Sequence, residues 1–186
     1  MRSALVLGVM LVSAACASSG GSGQVTTVTP MTAGVLPTNG GSMDVGATGE
    51  VTAIATAVPV PPDSAFKLLR AVYAKLALPV AQVDSVHRTI SNSGLKARRN
   101  LGGLGMQNVV DCGEKIGIPN AETWDIQMDL ASYVTPGAKS GSQVWTRIQA
   151  LGNDPTASGR DVTPCATQGG LEAKIGKGVK AMIGAK

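Results

Sequence analysis

Aromatic side chains are scarce in this chain of 186 residues, which contains one Phe, two Trp and two Tyr. A hydrophobic core must therefore be built mainly from Val, Ile, Leu, Met and Ala. Charged residues are also few, at 15%, and the formal net charge of +4 becomes +3 once Arg2 is removed with an export signal. This weak basic balance gives no argument for nucleic-acid binding, so no nucleic-acid partner is predicted.

The residues that catalysis usually requires are nearly absent. His87 is the only histidine, and the sequence contains neither a Gly-x-Ser-x-Gly elbow nor a Cys-x-x-Cys pair. Because metal-ligand spacing and a phosphate-binding glycine loop are also missing, the sequence predicts no cofactor, no metal and no enzymatic activity. Asp125 and Asp129 lie four residues apart on one predicted strand, about 13 Å, which is too far for a catalytic carboxylate pair.

The N-terminus has the three parts of an export signal. Arg2 supplies the positive charge, residues 4–12 form an apolar segment, and small residues follow. At about 1.5 Å per residue this segment is too short for the ~30 Å hydrocarbon core of a bilayer, which disfavours a transmembrane anchor. The sequence Ser13-Ala14-Ala15-Cys16 resembles the lipobox of bacterial lipoproteins, with Ser13 where Leu is usual. The resemblance implies lipidation of Cys16; ordinary signal-peptide cleavage and a secreted soluble protein are the alternative.

No charged residue occurs from position 17 to position 43, where Ser, Thr, Gly and Pro dominate. Such a composition cannot bury enough apolar surface to offset the entropy lost on ordering. We therefore predict a signal peptide over 1–15, a flexible linker over 16–47 and a single domain over 48–186. The linker would have an end-to-end distance of roughly 30 Å. With Cys16 anchored in a membrane, the domain would lie in the periplasm or at the cell surface.

Cys112 and Cys165 are the two cysteines that remain once Cys16 is assigned to the lipid. In the oxidising compartment of an exported protein they are expected to pair. A redox or metal site is the alternative, but the metal-ligand spacing it requires is missing. Closing a loop of about 54 residues would stabilise the fold by roughly 4 kcal/mol in the chain-entropy treatment.

Alternation of apolar and polar residues predicts strands, and an apolar spacing of three to four predicts helices. Strands are predicted over 50–58, 80–90, 107–112, 124–134 and 143–151, and helices over 64–76 and 171–183. Asp63 or Ser64 is expected to cap the first helix, and a polar loop is expected to lead to Cys165. Gly176 and Gly178 are each expected to cost the last helix about 1 kcal/mol relative to Ala.

These elements predict an α+β domain with an antiparallel sheet of about four to five strands, two helices packed on one face and one disulfide. Helix 64–76, the strand pair within 124–151 and helix 171–183 resemble in outline the helix-grip-like domains of small envelope lipoproteins, including an accessory subunit of outer-membrane assembly. Val110-Asp111-Cys112-Gly113 with Thr163-Pro164-Cys165 resembles a pattern of uncharacterised exported bacterial proteins. Both resemblances imply an envelope location, and neither implies an activity.

Two features are candidate ligand-binding sites. Lys96, Arg98 and Arg99 lie in a glycine-flanked stretch predicted to be a loop, which could bind anionic groups of lipid, lipopolysaccharide or cell wall; a solvated basic loop is the alternative. Trp145 has the opposite parity to Val144, so it lies either on an exposed sheet face or in a second buried layer. The leading hypothesis is a non-enzymatic lipoprotein that serves as an adaptor or accessory subunit for an envelope protein partner. The alternative is a binding module for an anionic envelope ligand.

Overall fold

The structure, a computed structural model, describes residues 53–157 and 162–184. The predicted signal peptide, the predicted linker and Cys16 lie outside the described residues. The strands are β1 Ala53–Val58, β2 Gln82–Asp84, β3 Thr89–Ala97, β4 Asn100–Leu101, β5 Leu104–Gly105, β6 Val110–Asp111, β7 Glu114–Lys115, β8 Ile118–Pro119, β9 Asp125–Pro136, β10 Ser142–Asn153 and β11 Val162–Thr167. The helices are α1 Pro62–Lys75, α2 Asn120–Thr123 and α3 Gly170–Gly184.

The main sheet of the described residues has seven strands in the order β2-β3-β9-β10-β11-β6, and β1 also pairs with β10. All of its ladders are antiparallel. One edge of β10 is shared, because β1 pairs with residues 142–147 and β11 pairs with residues 150–153. The mixed α and β composition and the antiparallel sheet are confirmed, but the seven strands exceed the predicted four to five. A third helix, the four-residue α2, was not predicted.

The centre of the sheet is a hairpin of two twelve-residue strands, β9 and β10, and every residue of one pairs with a residue of the other. Both strands alternate between buried and half-buried residues along nearly their whole length. A strand places successive side chains on opposite faces, so this alternation separates the sheet into two surfaces. We call the surface that carries Met128, Leu130 and Val144 the inner face, and the opposite surface the outer face.

Helices α1 and α3 contact each other, and both contact β9, β10 or β1. The buried stripe of α1 contains Ala65, Phe66, Leu69, Val72 and Tyr73; that of α3 includes Leu171, Ile175 and Val179. These side chains and the inner face of the sheet form one core cluster. Helix α1 begins earlier than predicted, with Pro62 in its first turn and no side-chain cap, so the predicted cap by Asp63 or Ser64 was wrong.

A short chain of hydroxyl groups crosses the core beneath α1. The Tyr73 hydroxyl lies 2.7 Å from Ser132 Oγ, which lies 2.7 Å from Thr146 Oγ1. All three residues are buried, and Ser132 is fully so. Because each hydroxyl can donate and accept, the chain satisfies polar groups that would otherwise be costly in an apolar interior. Burial raises the pKa of Tyr73 to about 12.

Three predicted elements differ in the structure. In the predicted strand 107–112, Gln107 and Asn108 belong to a short 3-10 helix, Met106–Asn108, which the hydrogen bond from the Val109 N–H to the Met106 carbonyl closes, and only Val110–Asp111 is a strand. The predicted strand 80–90 is divided into β2 and β3 by a turn, in which the Asp84 carboxylate accepts hydrogen bonds from the Val86 and His87 backbone N–H groups. Such a local side-chain bond stabilises a turn in place of an extended strand. A polar loop was predicted to lead to Cys165, but the three residues before Cys165 already belong to β11, Val162–Thr167. That part of the prediction was wrong.

Candidate functional site

The outer face of the sheet lies opposite the face on which α1 and α3 pack. Its side chains on β9 and β10 are half-buried and mostly polar. They are Gln127, Asp129, Ala131, Tyr133 and Thr135 on β9, and Gln143, Trp145, Arg147, Gln149, Leu151 and Asn153 on β10. A surface of this kind is exposed enough for a ligand and rigid enough to hold its side chains in place.

Trp145 and Tyr133 form an aromatic pair on this face, which we call the aromatic pair. The two residues are directly opposite each other in the β9–β10 register. Their rings are nearly parallel, at an interplanar angle of 7°, with centroids 6.1 Å apart. Trp145 Nε1 donates a hydrogen bond to Thr135 Oγ1 at 3.0 Å, which fixes the indole on the sheet. Trp145 therefore lies on the outer face, where it is half-buried.

The placement of this pair is notable because aromatic residues are so few. Phe66 and Tyr73 are in the core, and Trp124 is partly buried against it. The other two aromatic residues of the chain stand together on the outer face. Aromatic rings gain more from burial than from partial exposure to water, so a half-exposed pair in an aromatic-poor chain indicates a contact surface.

Arg147 extends the outer face next to the aromatic pair. It is half-buried, and its positive charge partly offsets the rise in the Tyr133 pKa that burial causes. Within the described residues Arg147 forms no salt bridge. The side chains of Gln143 and Gln149, on either side of it along β10, also make no hydrogen bond to another described residue. A guanidinium and two amides therefore remain available to a ligand.

Two of the three basic residues singled out in the sequence, Lys96 and Arg98, lie at the far end of the outer face, and Arg99 follows them between β3 and β4. Lys96 belongs to β3 and is opposite Gln127 on β9. Arg98 lies 3.6 Å from the exposed Asp125 carboxylate, and Arg99 adopts a positive φ of 66°. The stretch predicted to be a loop is therefore the end of β3 followed by the β4–β5 hairpin.

The structure does not bring these basic residues together with Trp145. Gln127, the neighbour of Lys96, and Tyr133, the neighbour of Trp145, are six residues apart on β9. At about 3.4 Å per residue the separation is roughly 20 Å. The basic residues and the aromatic pair are thus two ends of one surface rather than one pocket.

The predicted disulfide between Cys112 and Cys165 is present, with a Cα–Cα distance of 4.3 Å. It joins the short segment after β6 to β11 at the edge of the sheet. Gly152 on β10 faces the bridge, and a Cβ atom there would lie 3.0 Å from Cys165 Sγ and 2.8 Å from the Trp124 ring. The bridge and Trp124 therefore close one end of the core, and Gly152 leaves the room for both.

In residues 53–157 and 162–184, the remaining polar groups form no recognisable catalytic constellation. His87 is exposed, and its Nδ1 lies 2.6 Å from Asp84 Oδ2 within the β2–β3 turn. Among the described residues, no group of three or more His, Cys, Asp or Glu side chains is placed to hold a metal ion. None of the described helices is long and apolar enough to cross a membrane.

Glu172 is a buried acid in the first turn of α3. It is 1% exposed, and its Oε1 accepts a hydrogen bond from Thr167 Oγ1. Its Oε2 is buried and has no hydrogen-bond partner among the described residues. Burial raises the pKa of Glu172, partly offset by the bond from Thr167. Burial of this carboxyl in the first turn of α3 favours its neutral form.

Stability should depend on pH through this group. Because the folded pKa of Glu172 is raised above the unfolded one, its favourable contribution is complete below about pH 4.3, the unfolded value, and is lost as the pH rises through the folded pKa. The substitution Glu172→Gln keeps the side chain neutral. As the pH rises from about 4 to about 7, we expect the wild type to lose stability relative to Glu172→Gln. Urea unfolding of both proteins at each pH measures this difference.

The matched control is Glu114→Gln, at an exposed glutamate of the β7–β8 hairpin. Its stability should follow the wild-type pH profile throughout. If the free energy of unfolding of Glu172→Gln also follows that of the wild type at every pH, burial does not raise the pKa of the Glu172 carboxyl. This prediction would then be wrong.

No protein-family model matches this chain, and no curated protein is significantly similar to it. Sequence reasoning found Trp145 and missed Tyr133 and Arg147. A hairpin centred on Lys139 pairs Tyr133 with Trp145. The position of the turn in the sequence would therefore have been enough to predict this pair.

Proposed function

We propose that this protein is a non-enzymatic, lipid-anchored binding module of the bacterial cell envelope, whose contact surface is the outer face of the sheet. The observation that carries the proposal is the half-exposed aromatic pair, which is flanked by the guanidinium of Arg147, a group with no salt bridge in the part of the chain that the structure describes. The lipobox-like sequence at Cys16 supports anchoring. The long charge-free linker supports a domain that reaches its ligand at a distance from the membrane, in the periplasm or at the cell surface.

The outer face is suited to binding rather than to chemistry. It carries no nucleophile paired with a base, and its acidic residues already have partners: Asp129 Oδ1 accepts from the Gly94 N–H at 2.7 Å, and Asp125 faces Arg98. The groups that can contact a ligand are the two aromatic rings, the Arg147 guanidinium and the glutamine amides, all of which are planar. Such groups recognise a ligand by stacking and by hydrogen bonds without changing it.

A second candidate function is the adaptor or accessory subunit, and one observation favours it. Strand β1 has six residues without charge or proline, and among the described residues it pairs with β10 alone. An edge of this kind presents unpaired backbone groups, and natural proteins usually protect it with lysine, proline or a bulge. A strand of an envelope protein could add to this edge by backbone hydrogen bonds.

Removal of the anchor makes the binding surface measurable. Cys16→Ala should move the exported full chain from the membrane fraction to the soluble fraction, and mass spectrometry should find a lipid on Cys16 of the wild type only. We then expect the released protein to sediment with purified envelopes of its native cells. Adding Trp145→Ala should weaken this binding by about tenfold, as for a lost aromatic anchor.

The matched control is Cys16→Ala with Lys67→Ala, since Lys67 lies on the exposed side of α1. It should sediment as the Cys16→Ala protein does. An unmodified Cys16 in the wild type would refute the lipid anchor. If Trp145→Ala leaves envelope binding unchanged, the outer face is not the contact surface. Loss of binding in a β1 proline variant such as Ala55→Pro would then favour the adaptor function.

A further inference from the structure

We propose that the aromatic pair and Arg147 form a binding site for an acidic polysaccharide that lies along β10. The inference rests on the proposed function, because it names the class of ligand for the same outer face. Three features carry it: the geometry of the rings, the planar groups beside them that have no partner among the described residues, and the positive charge of Arg147 between Gln143 and Gln149.

The rings point to a sugar rather than to an apolar protein anchor. A pyranose ring presents a flat face of C–H groups, which packs against the face of an indole or a phenol. Tyr133 and Trp145 are nearly parallel and offset, at a centroid distance of 6.1 Å, on an extended sheet surface. Protein hot-spot residues enter closed pockets, whereas a polysaccharide needs a long open surface such as this one.

The groups on either side of the pair match the hydroxyl groups of a sugar. Gln143 and Gln149 are six residues apart on β10, with Trp145 and Arg147 between them. At about 3.4 Å per residue this row is roughly 20 Å long, enough for several sugar units. Each amide offers donors and an acceptor to hydroxyl groups, and neither is bonded to another described residue.

Arg147 selects an acidic sugar over a neutral one. It is the nearest charged residue to Trp145 along β10, and it has no acidic partner among the described residues. Its planar guanidinium can bind a carboxylate through two parallel hydrogen bonds. The nearest acid on the neighbouring strand, Asp129, is opposite Gln149 and already accepts a bond from Gly94, so its charge is directed away from the aromatic pair.

The test uses the full chain and two soluble probes of equal length, an oligogalacturonate and an oligomer of N-acetylglucosamine. Binding is followed by the fluorescence of Trp145. The only other indole, Trp124, lies beside the disulfide and can be removed as Trp124→Phe. We expect the wild type to bind the acidic probe about tenfold more tightly than the neutral one, as one charge-assisted bidentate contact provides.

Two substitutions separate stacking from charge. Arg147→Gln should abolish the preference for the acidic probe and keep the binding of the neutral one. Tyr133→Ala should weaken both probes by about tenfold and leave their ratio unchanged. Lys177→Ala, on the exposed side of α3, is the control and should match the wild type. Tyr133→Phe keeps the ring and should bind nearly as the wild type does, which separates loss of stacking from loss of folding.

The outcomes distinguish this inference from the proposed function. If neither probe binds but envelope sedimentation still requires Trp145, the ligand is not a polysaccharide and the outer face remains the contact surface. If both probes bind equally well and Arg147→Gln changes nothing, the acidic specificity is refuted. If neither glycan binding nor envelope binding depends on the aromatic pair, the inference and the proposed function both fail.

Discussion

Replacing Cys112 and Cys165 together by Ala should lower the free energy of unfolding by about 4 kcal/mol. The bridge joins residues 53 positions apart, and its main effect is to restrict the unfolded chain. Native domains have only about 5–15 kcal/mol of net stability, so the loss is a large part of the total. Urea denaturation of the oxidised wild type and the double variant measures it directly.

The effect should also be local. Strand β11 pairs with only four residues of β10, and β6 with only two residues of β11, so this edge of the sheet depends on the bridge. Hydrogen exchange in the double variant should become fast in β11 while β9 and β10 stay protected. Cys16→Ala is the control, and its stability should be unchanged. A double variant with the wild-type urea midpoint would show that the bridge does not hold this edge.

Much of the fold is predictable because the spacing of apolar residues in the sequence matches the spacing of buried residues in the strands and helices. Strands β9 and β10 were found since their alternation runs for twelve residues each, and α3 was found since Leu171, Ile175 and Val179 recur at helical spacing. Strand β11 was missed because most of its residues are exposed and it lies near the sheet edge, so it lacks an apolar pattern. Buried elements leave a periodic signal, and edge elements do not.

The candidate site was only half predictable for a related reason. Parity placed Trp145 on the face opposite Val144 but did not show whether that face was covered. Tyr133 and Arg147 could not be assigned to the site without the β9–β10 register. The register places Tyr133 opposite Trp145, twelve positions away in the sequence, on the face that also carries Arg147. Lys96, Arg98 and Arg99 were grouped by sequence proximity, whereas in the structure they lie about 20 Å along the sheet from the aromatic pair.

The glycines of α3 show how tertiary packing reverses a propensity argument. In sequence terms Gly176→Ala should stabilise the helix by about 1 kcal/mol. In the structure α3 approaches β1 so closely that a Cβ atom at Gly176 would lie 2.1 Å from Thr56 Oγ1 and 2.8 Å from Thr56 Cβ. No side chain tolerates such distances, so the helix must move away from the sheet. We expect Gly176→Ala to lower the free energy of unfolding by about 2 kcal/mol or more in urea denaturation.

A double-mutant cycle identifies the contact responsible. Thr56→Ala removes the nearest obstructing atom, so in the Gly176→Ala background it should restore part of the lost stability, although alone it should stabilise nothing. Gly184→Ala is the matched control, because a Cβ atom there meets nothing within 4 Å. Since Gly184 ends the same helix, its substitution should leave stability nearly unchanged. If Gly176→Ala stabilises the protein as the helix propensity alone would predict, α3 does not pack against β1 at this distance, and the helix is held mainly by its contacts with α1 and β10.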